Sequence, residues 1–356
     1  MKFLFVIPSL SKGGAERVVA VLASELANQG HDTSVLIYFK TENEYETSDL
    51  VKKIYLSGGD EEKYNNMNYL QRLSTIRKVA KKENPDVVVP FLSHVCIQTC
   101  VALFGTNKKI VQTVRNDPRT LPEGKIHRLL RDLFVKFGHK TFVQNKDQMS
   151  YFDSKTQNKI FVLPNPVRGD LFNCKRQKNT DKTIIASAGR LNSQKNFFML
   201  IDAFGTVSKS RENLELRIYG DGELLEDLQK YIDDKNSSET IKLMGRTNDM
   251  KSMLESIDLY VLSSDYEGMP NSLMEAMAAG VPCVSTDCPT GPSDLIQDGE
   301  NGLLVPVNDA KAMSGAIEKM LFQLDKEKLA ENGRKFVKEN YSADVIAKRL
   351  LENIGG

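Results

Sequence analysis

At 356 residues, with 40% hydrophobic and 27% charged side chains, the chain has an ordinary globular composition and the length for two domains of about 100–200 residues each. These figures exclude disorder, and no apolar run approaches the roughly 18 residues that a membrane-crossing helix needs. Net charge is +1 but unevenly spread: 24 Lys and Arg against 17 Asp and Glu through Lys159, near +7, then 24 against 30, near −6. The asymmetry fits either a first half facing an anionic partner (a membrane surface, a diphosphate or nucleic acid) or merely solvated charge.

The opening MKFLFVIPSL has too short an apolar run for a signal peptide and leads into SKGGAER, not a cleavage site, so it reads as a first β-strand. Strand-like runs follow at TSVLIYF (33–39), VVVPF (87–91), IVQTV (110–114) and TFVQ (141–144), after FLFVI (3–7). Between the first two, Ala15, Val18, Leu22 and Leu26 recur at helical spacing and Gly30 stands where a helix would stop. VLPNPV (162–167) supplies two prolines and a plausible hinge. After a polar stretch from Arg168 to Lys182 the pattern restarts at TIIASAG (183–189), LELRIYG (214–220), TIKLMG (240–245), DLYVLSS (258–264) and VPCVST (281–286). Residues 326–353 read as amphipathic helices with no strand.

Alternating strands and helices predict an α/β chain of two Rossmann-like, doubly wound domains, 1–167 and 168–335, with a C-terminal helix (336–356) packing back on the first. Open parallel sheets bind ligands beyond the carboxyl ends of their strands, so two such sheets facing across a cleft would set the active site there. Five cysteines without paired spacings and only four histidines argue for a reducing, cytoplasmic setting and against structural zinc.

The most informative segment is SSDYEGMPNSLMEAMAAGVP (263–282), a strand end, a Gly-Pro loop and a helix starting near Ser272. Gly268 and Pro270 put Glu267 in the loop and Glu275 on the helix, so the two acids would reach different parts of one ligand. Backbone N–H groups from Met269 through Pro270, Asn271 and Ser272 to Leu273 surround a helix start, where an anion or sugar oxygen is favoured; proline adds shape only. Standing alone, Glu267 could be a helix cap and Glu275 a solvated helix residue.

This segment resembles the E-x7-E hallmark of glycosyltransferase family 4, the group 1 glycosyltransferases of GT-B fold, and AGRLNSQKN (188–196), YGDGE (219–223), LMGRTND (243–249) and DGENGLLVP (298–306) follow that family's order. The resemblance covers nearly the whole chain. It implies a retaining, metal-independent hexosyl transfer from a nucleotide diphosphate sugar, with a UDP-sugar the expected donor. The acceptor would be a saccharide or lipid-diphosphate-linked saccharide in polysaccharide or glycan assembly. Arg190 and Lys195, on one loop, would stabilise the leaving diphosphate. By the same resemblance Glu267 meets donor-sugar hydroxyls, Glu275 the ribose, and the backbone of Arg246 and Thr247 the base. Neither a cofactor nor a metal is expected, since no D-x-D motif or zinc spacing is evident.

In the first half, Gly13 and Gly14 of SKGGAER resemble the family's glycine-rich loop, where backbone approaches phosphate or acceptor, though a tight turn explains them equally. His94 in FLSHV is a candidate near the transferred sugar, or a half-buried structural histidine. In TVRNDP the family's histidine is absent, and Arg115 and Asn116 stand as acceptor candidates. Beyond it, Arg119, Lys125, Arg128, Arg131, Lys136 and Lys140 interleave with Ile126, Leu129, Leu130, Leu133, Phe134 and Phe137. Either the apolar side of this helix enters the core or the segment meets anionic lipid or a lipid-diphosphate, with peripheral placement at the inner face of the cell membrane. Nucleic acid is not an expected partner, for no recognition motif accompanies the basic residues. A nucleotide-sugar epimerase on the same fold and a non-catalytic nucleotide-sugar-binding subunit are the alternatives to transfer.

Overall fold

The computed structural model describes residues 1–11, 13–177, 181–247 and 249–355, leaving the Phe137 side chain outside that description. The chain divides into two compact units, Met1–Pro166 with Ala343–Gly356, and Val167–Ser342.

Unit 1 holds β1 (Lys2–Ile7), β2 (Asp32–Ile37), β3 (Lys52–Tyr55), β4 (Val87–Pro90), β5 (Lys109–Val114), β6 (Lys140–Val143) and β7 (Ile160–Val162). All pair in parallel in the order β3-β2-β1-β4-β5-β6-β7. Its helices are α1 (Gly14–Asn28), α2 (Glu61–Asn66), α3 (Tyr69–Glu83), α4 (Ser93–Ala102), α5 (Lys125–Phe137), α6 (Lys146–Ser150) and α7 (Ser154–Gln157). β1 is buried along Phe3–Ile7, as a central strand covered on both faces must be. Val18, Val19, Leu22 and Leu26 of α1 fill the layer over it, and α3 starts with an Asn68–Gln71 capping box.

Unit 2 holds β8 (Thr183–Ala188), β9 (Leu214–Tyr219), β10 (Ile241–Gly245), β11 (Leu259–Leu262), β12 (Cys283–Thr286) and β13 (Leu303–Val305), parallel in the order β10-β9-β8-β11-β12-β13. Its helices are α8 (Phe197–Ser208), α9 (Leu225–Asp234), α10 (Met250–Glu255), α11 (Asn271–Ala278), α12 (Pro292–Leu295), α13 (Ala310–Phe322) and α14 (Lys326–Tyr341). One core forms where α8 and α13 cover the sheet, and another where α10, α11 and α14 do.

Two expectations need correction. The C-terminal return does not begin at residue 336: α14 stays in unit 2, where Val337 and Tyr341 share a core with Met274 and Met277 of α11. Only α15 (Ala343–Gly355) joins unit 1, where Ile346, Ala347, Leu350 and Ile354 pack in the α1 core. Nor does α5 put all its apolar residues in the core. Val135 is buried and Leu130 and Phe134 half-buried, but Ile126, Leu129 and Leu133 face solvent, while Arg131 is the side chain carried inward.

The five cysteines are free, and burial pushes the Cys96 thiol up to about 11 and Cys100 up to about 12. No helix among the described residues is long and apolar enough to cross a membrane.

Candidate active site

In unit 2 the chain leaves β8 toward β9 on one side and later fills the other side from β11, so the strand order reverses between β8 and β11. Loops beyond the carboxyl ends of such a pair diverge and leave room for a ligand. After β8, Gly189-Arg190-Leu191-Asn192 leads into a 3-10 turn at Ser193–Lys195. Asn196 then takes a left-handed conformation (φ 45°), which asparagine tolerates, and its side chain caps α8 at Met199 N. The same amide donates to Asp265 Oδ1 at 2.8 Å and Asn308 Oδ1 at 2.6 Å.

These bonds hold the β8 loop against the one after β11. Lys195 Nζ lies 2.6 Å from Glu267 Oε1, the side chains 14% and 7% exposed. Ser264 Oγ donates to the same carboxylate oxygen at 2.7 Å, and Ser263 Oγ donates to Lys195 O at 2.7 Å. Gln194 and Asp265 bind across the same seam, through Asp265 N to Gln194 O (2.9 Å) and Gln194 Nε2 to Tyr266 O (2.8 Å). Glu267 is therefore not a helix cap; Pro270 occupies that position and offers no side-chain cap. Gly268 and Met269 bridge from Glu267 to Pro270, and Asn271, Ser272 and Leu273 form the first turn of α11. Glu275 is not a solvated helix residue either, being 4% exposed on a helix otherwise buried from Leu273 to Ala278.

From the other side, the loops after β9 and β10 brace the β8 loop. Gly189 N donates to Tyr219 O, Leu191 N to Asp221 O and Gly220 N to Gly245 O, at 2.7–2.9 Å. Gly220 and Gly222 have φ of +148° and +156°, and a Cβ on either would collide with the carbonyl of Gly189 or Leu191. Arg246 Nε reaches Asp221 Oδ2 at 2.5 Å with both groups exposed, and Thr247 Oγ1 accepts from Asp249 N. Among the described residues the exposed guanidinium of Arg190 forms no ion pair. One cation is thus neutralised within the site, and a second lies five residues before it on the same loop.

Unit 1 has its own reversal, between β1 and β4, and the loops there carry Gly13 and His94. Gly13 is the N-cap of α1 and Gly14 its first residue. The Glu16 carboxylate folds back over Gly13, where a Cβ would meet it, and burial raises its pKa. An acid in the first turn already answers the helix dipole, a feature the glycines concealed although Glu16 stands within the same motif. His94 opens α4, after Leu92 at the unusual φ of 73°. The residue is exposed, yet enough protein surrounds the ring to hold its pKa below the usual imidazole value.

Arg115 does not project as an acceptor contact would. It is 8% exposed, donates from Nη1 to Leu163 O (3.2 Å) and Asn165 Oδ1 (3.1 Å), and stacks 4.9 Å from the Phe91 ring centroid. Burial lowers its pKa to about 10. Asn116, next to it, is exposed. No group of three or more His, Cys, Asp or Glu side chains among the described residues could hold a metal ion.

Models of "Glycosyl transferases group 1" and "Glycosyltransferase Family 4" match residues 172–336 and 12–170 respectively, nearly the whole chain between them. The chain is a family 4 glycosyltransferase. This glycosyltransferase is 26% identical over 330 residues, 90% of its length and 89% of the relative's, to a Campylobacter jejuni protein. That relative is named GalNAc-alpha-(1->4)-GalNAc-alpha-(1->3)-diNAcBac-PP-undecaprenol alpha-1,4-N-acetyl-D-galactosaminyltransferase. Among solved structures, HepE of Anabaena in complex with UDP matches over all of both chains with a TM-score of 0.79 at 16% identity. A TarM variant of S. aureus, in complex with UDP, fondaparinux and alpha-GlcNAc-glycerol, does so with 0.80 at 16%. The two-sheet GT-B fold is thereby shared.

Proposed function

We propose that this glycosyltransferase retains the donor's anomeric configuration without a metal, moving a sugar from a UDP-sugar to a saccharide or lipid-diphosphate-linked saccharide. The observation that carries this reading is the Lys195–Glu267 pair, with Arg190 on the same loop as Lys195, at the strand-order reversal of unit 2. Lys195 and Arg190 supply the positive charge that a departing diphosphate needs, a role a divalent ion would otherwise fill. A diphosphate entering there draws the Lys195 ammonium, and Glu267 then accepts sugar hydroxyls. In transfer, the bond between the anomeric carbon and the diphosphate oxygen breaks, and the acceptor oxygen bonds that carbon on the same face. Its proton passes to the departing phosphate oxygen, so no separate protein base is required.

Glu275, buried in α11, is assigned to the ribose, and the loop at Arg246 and Thr247 to the base. The UDP complexes of HepE and TarM support UDP as the nucleotide, and the name of the C. jejuni relative supports a diphosphate-linked lipid acceptor. On this reading the protein is cytoplasmic and meets the inner face of the membrane peripherally. The test is thermal stabilisation by a panel of nucleoside diphosphates and their sugars, repeated on Glu275→Ala. Stabilisation by UDP or one UDP-sugar, weakened about tenfold or more in apparent affinity by the substitution, is the expected result. Equal stabilisation of parent and variant, or none by any nucleotide, would remove the donor assignment.

A further inference from the structure

Glu267 is held by more than its ion pair, for each residue of the loop from Ser264 to Glu267 has a main-chain tether. Thr286 Oγ1, at the end of β12, donates to Ser264 O at 2.6 Å, and Gln194 holds Asp265 N and Tyr266 O. The fourth tether is Thr290, beyond β12, whose Oγ1 donates to Glu267 O. Thr290 makes that bond from a left-handed backbone, with φ 72°. Among the described residues the non-glycine positions at positive φ are five asparagines, Leu92 and Thr290. Asparagine tolerates this region, whereas a side chain branched at Cβ is crowded there, so Thr290 is the outlier of the set. A glycine would relieve the strain, and one does follow, Gly291 at φ 98°. A Cβ on Gly291 would fall 2.6 Å from Pro270 Cδ, so the loop after β12 lies pressed on the loop that carries Glu267. Cys288, 1% exposed, anchors it from within and donates its thiol to Thr290 O at 4.0 Å.

We infer that Thr290 is a positioning residue for transfer: its hydroxyl fixes the main chain of Glu267, so that the carboxylate meets the donor sugar in one orientation. Strain that a glycine would remove persists where the strained side chain is needed, and here that side chain ends on Glu267. Lys195 and Ser264 hold the carboxylate itself. A diphosphate that draws the Lys195 ammonium toward it leaves Ser264 and the main-chain tethers to aim Glu267, so the Thr290 bond counts most with a donor bound. A small rotation of the Glu267 peptide is enough to misplace a carboxylate that must accept two sugar hydroxyls at once. This role rests on the proposed contact between Glu267 and the donor sugar, and it adds the residue that sets the direction of that contact.

Calorimetric titration of the full chain with UDP, UDP-glucose, UDP-N-acetylglucosamine and UDP-N-acetylgalactosamine, in parent and three variants, decides the matter. Thr290→Val keeps the branched shape without the hydroxyl, Thr290→Gly removes hydroxyl and strain together, and Thr290→Ser keeps the hydroxyl. For the UDP-sugar that the parent binds most tightly, the Val and Gly variants should lose about tenfold in affinity, the worth of one orienting hydrogen bond. UDP, which has no sugar for Glu267 to meet, should bind both within about twofold of the parent. Thr290→Ser should stay within about twofold for either ligand. Thr290→Gly should also melt within about 3 °C of the parent, because relief of strain offsets the freer unfolded chain. Its weaker sugar binding is then no consequence of a damaged fold. Equal weakening of UDP and the UDP-sugar in the Val and Gly variants would make Thr290 merely structural and overturn the assignment. A parent that binds the ligands while the variants match it refutes the role of Thr290 alone; a parent that binds none of them refutes the donor reading, and that role with it.

Discussion

Replacing Lys195 by Met removes the ammonium 2.6 Å from Glu267 Oε1 while keeping most of the stem's volume. The Glu267 carboxylate, 7% exposed, would then keep, among the described residues, the Ser264 hydroxyl at 2.7 Å as its donor to that oxygen. Breaking one side of a pair buried to this degree costs about 3–5 kcal/mol, and some of that is recovered when the stranded carboxylate takes up a proton. A net loss of about 3 kcal/mol in unit 2 lowers its melting temperature by about 6–12 °C. Lys195→Met combined with Glu267→Gln should regain more than half of this, because the uncompensated charge is gone. The assay is thermal unfolding of parent, single and double variants at neutral pH and low ligand. A single variant as stable as the parent, or a double variant as damaged as the two singles together, would refute the claim that the pair is mutually neutralising.

Arg190→Ala should lower turnover about 10²–10³-fold with little change in melting temperature, since the guanidinium is exposed and forms no ion pair among the described residues; steady-state kinetics and a thermal scan read both. Gly220→Ala forces a Cβ into Gly189 O and should displace the Arg190 loop, seen as at least a tenfold loss of UDP affinity by calorimetry. His94 has its pKa lowered by surrounding protein, so the unfolded chain binds its proton more readily. Its contribution to stability is therefore full above the ordinary imidazole pKa and falls away as pH drops from there toward the folded value. Denaturant titrations across that window should show a shallower loss in His94→Gln than in the parent, and NMR should place the His94 midpoint below that of an exposed histidine.

Most of both sheets was legible in the sequence because buried parallel strands are continuous apolar runs, as in FLFVI and TIIASAG. The strands not anticipated, β3, β7 and β13, are short, and each lies at one edge of its sheet. KKIY of β3 begins with two lysines, IFV of β7 runs into the prolines of LPNP, and LLV of β13 lies inside a stretch that reads as a motif. The Glu267 and Lys195 positions could be named from the chain, but not their pairing, which joins residues 72 apart through two loops. Arg115 and α5 mark the limit more sharply. Local pattern gives a helix its period, yet which face turns inward depends here on Tyr151 and Phe152, which receive the Arg131 guanidinium. Arg115 reads as an acceptor candidate because nothing in TVRNDP reveals that Leu163 and Asn165 close over it.

Metal-independent transfer from a UDP-sugar is tested by mass spectrometry of a reaction holding the enzyme, a UDP-sugar, a diphosphate-linked lipid saccharide and a chelator. The expected product is an acceptor heavier by one sugar, formed only when donor and acceptor are both present and strongly diminished with Arg190→Ala. Nucleotide release that proceeds equally without acceptor, or an acceptor left unchanged across the donor panel while UDP binds, would contradict it.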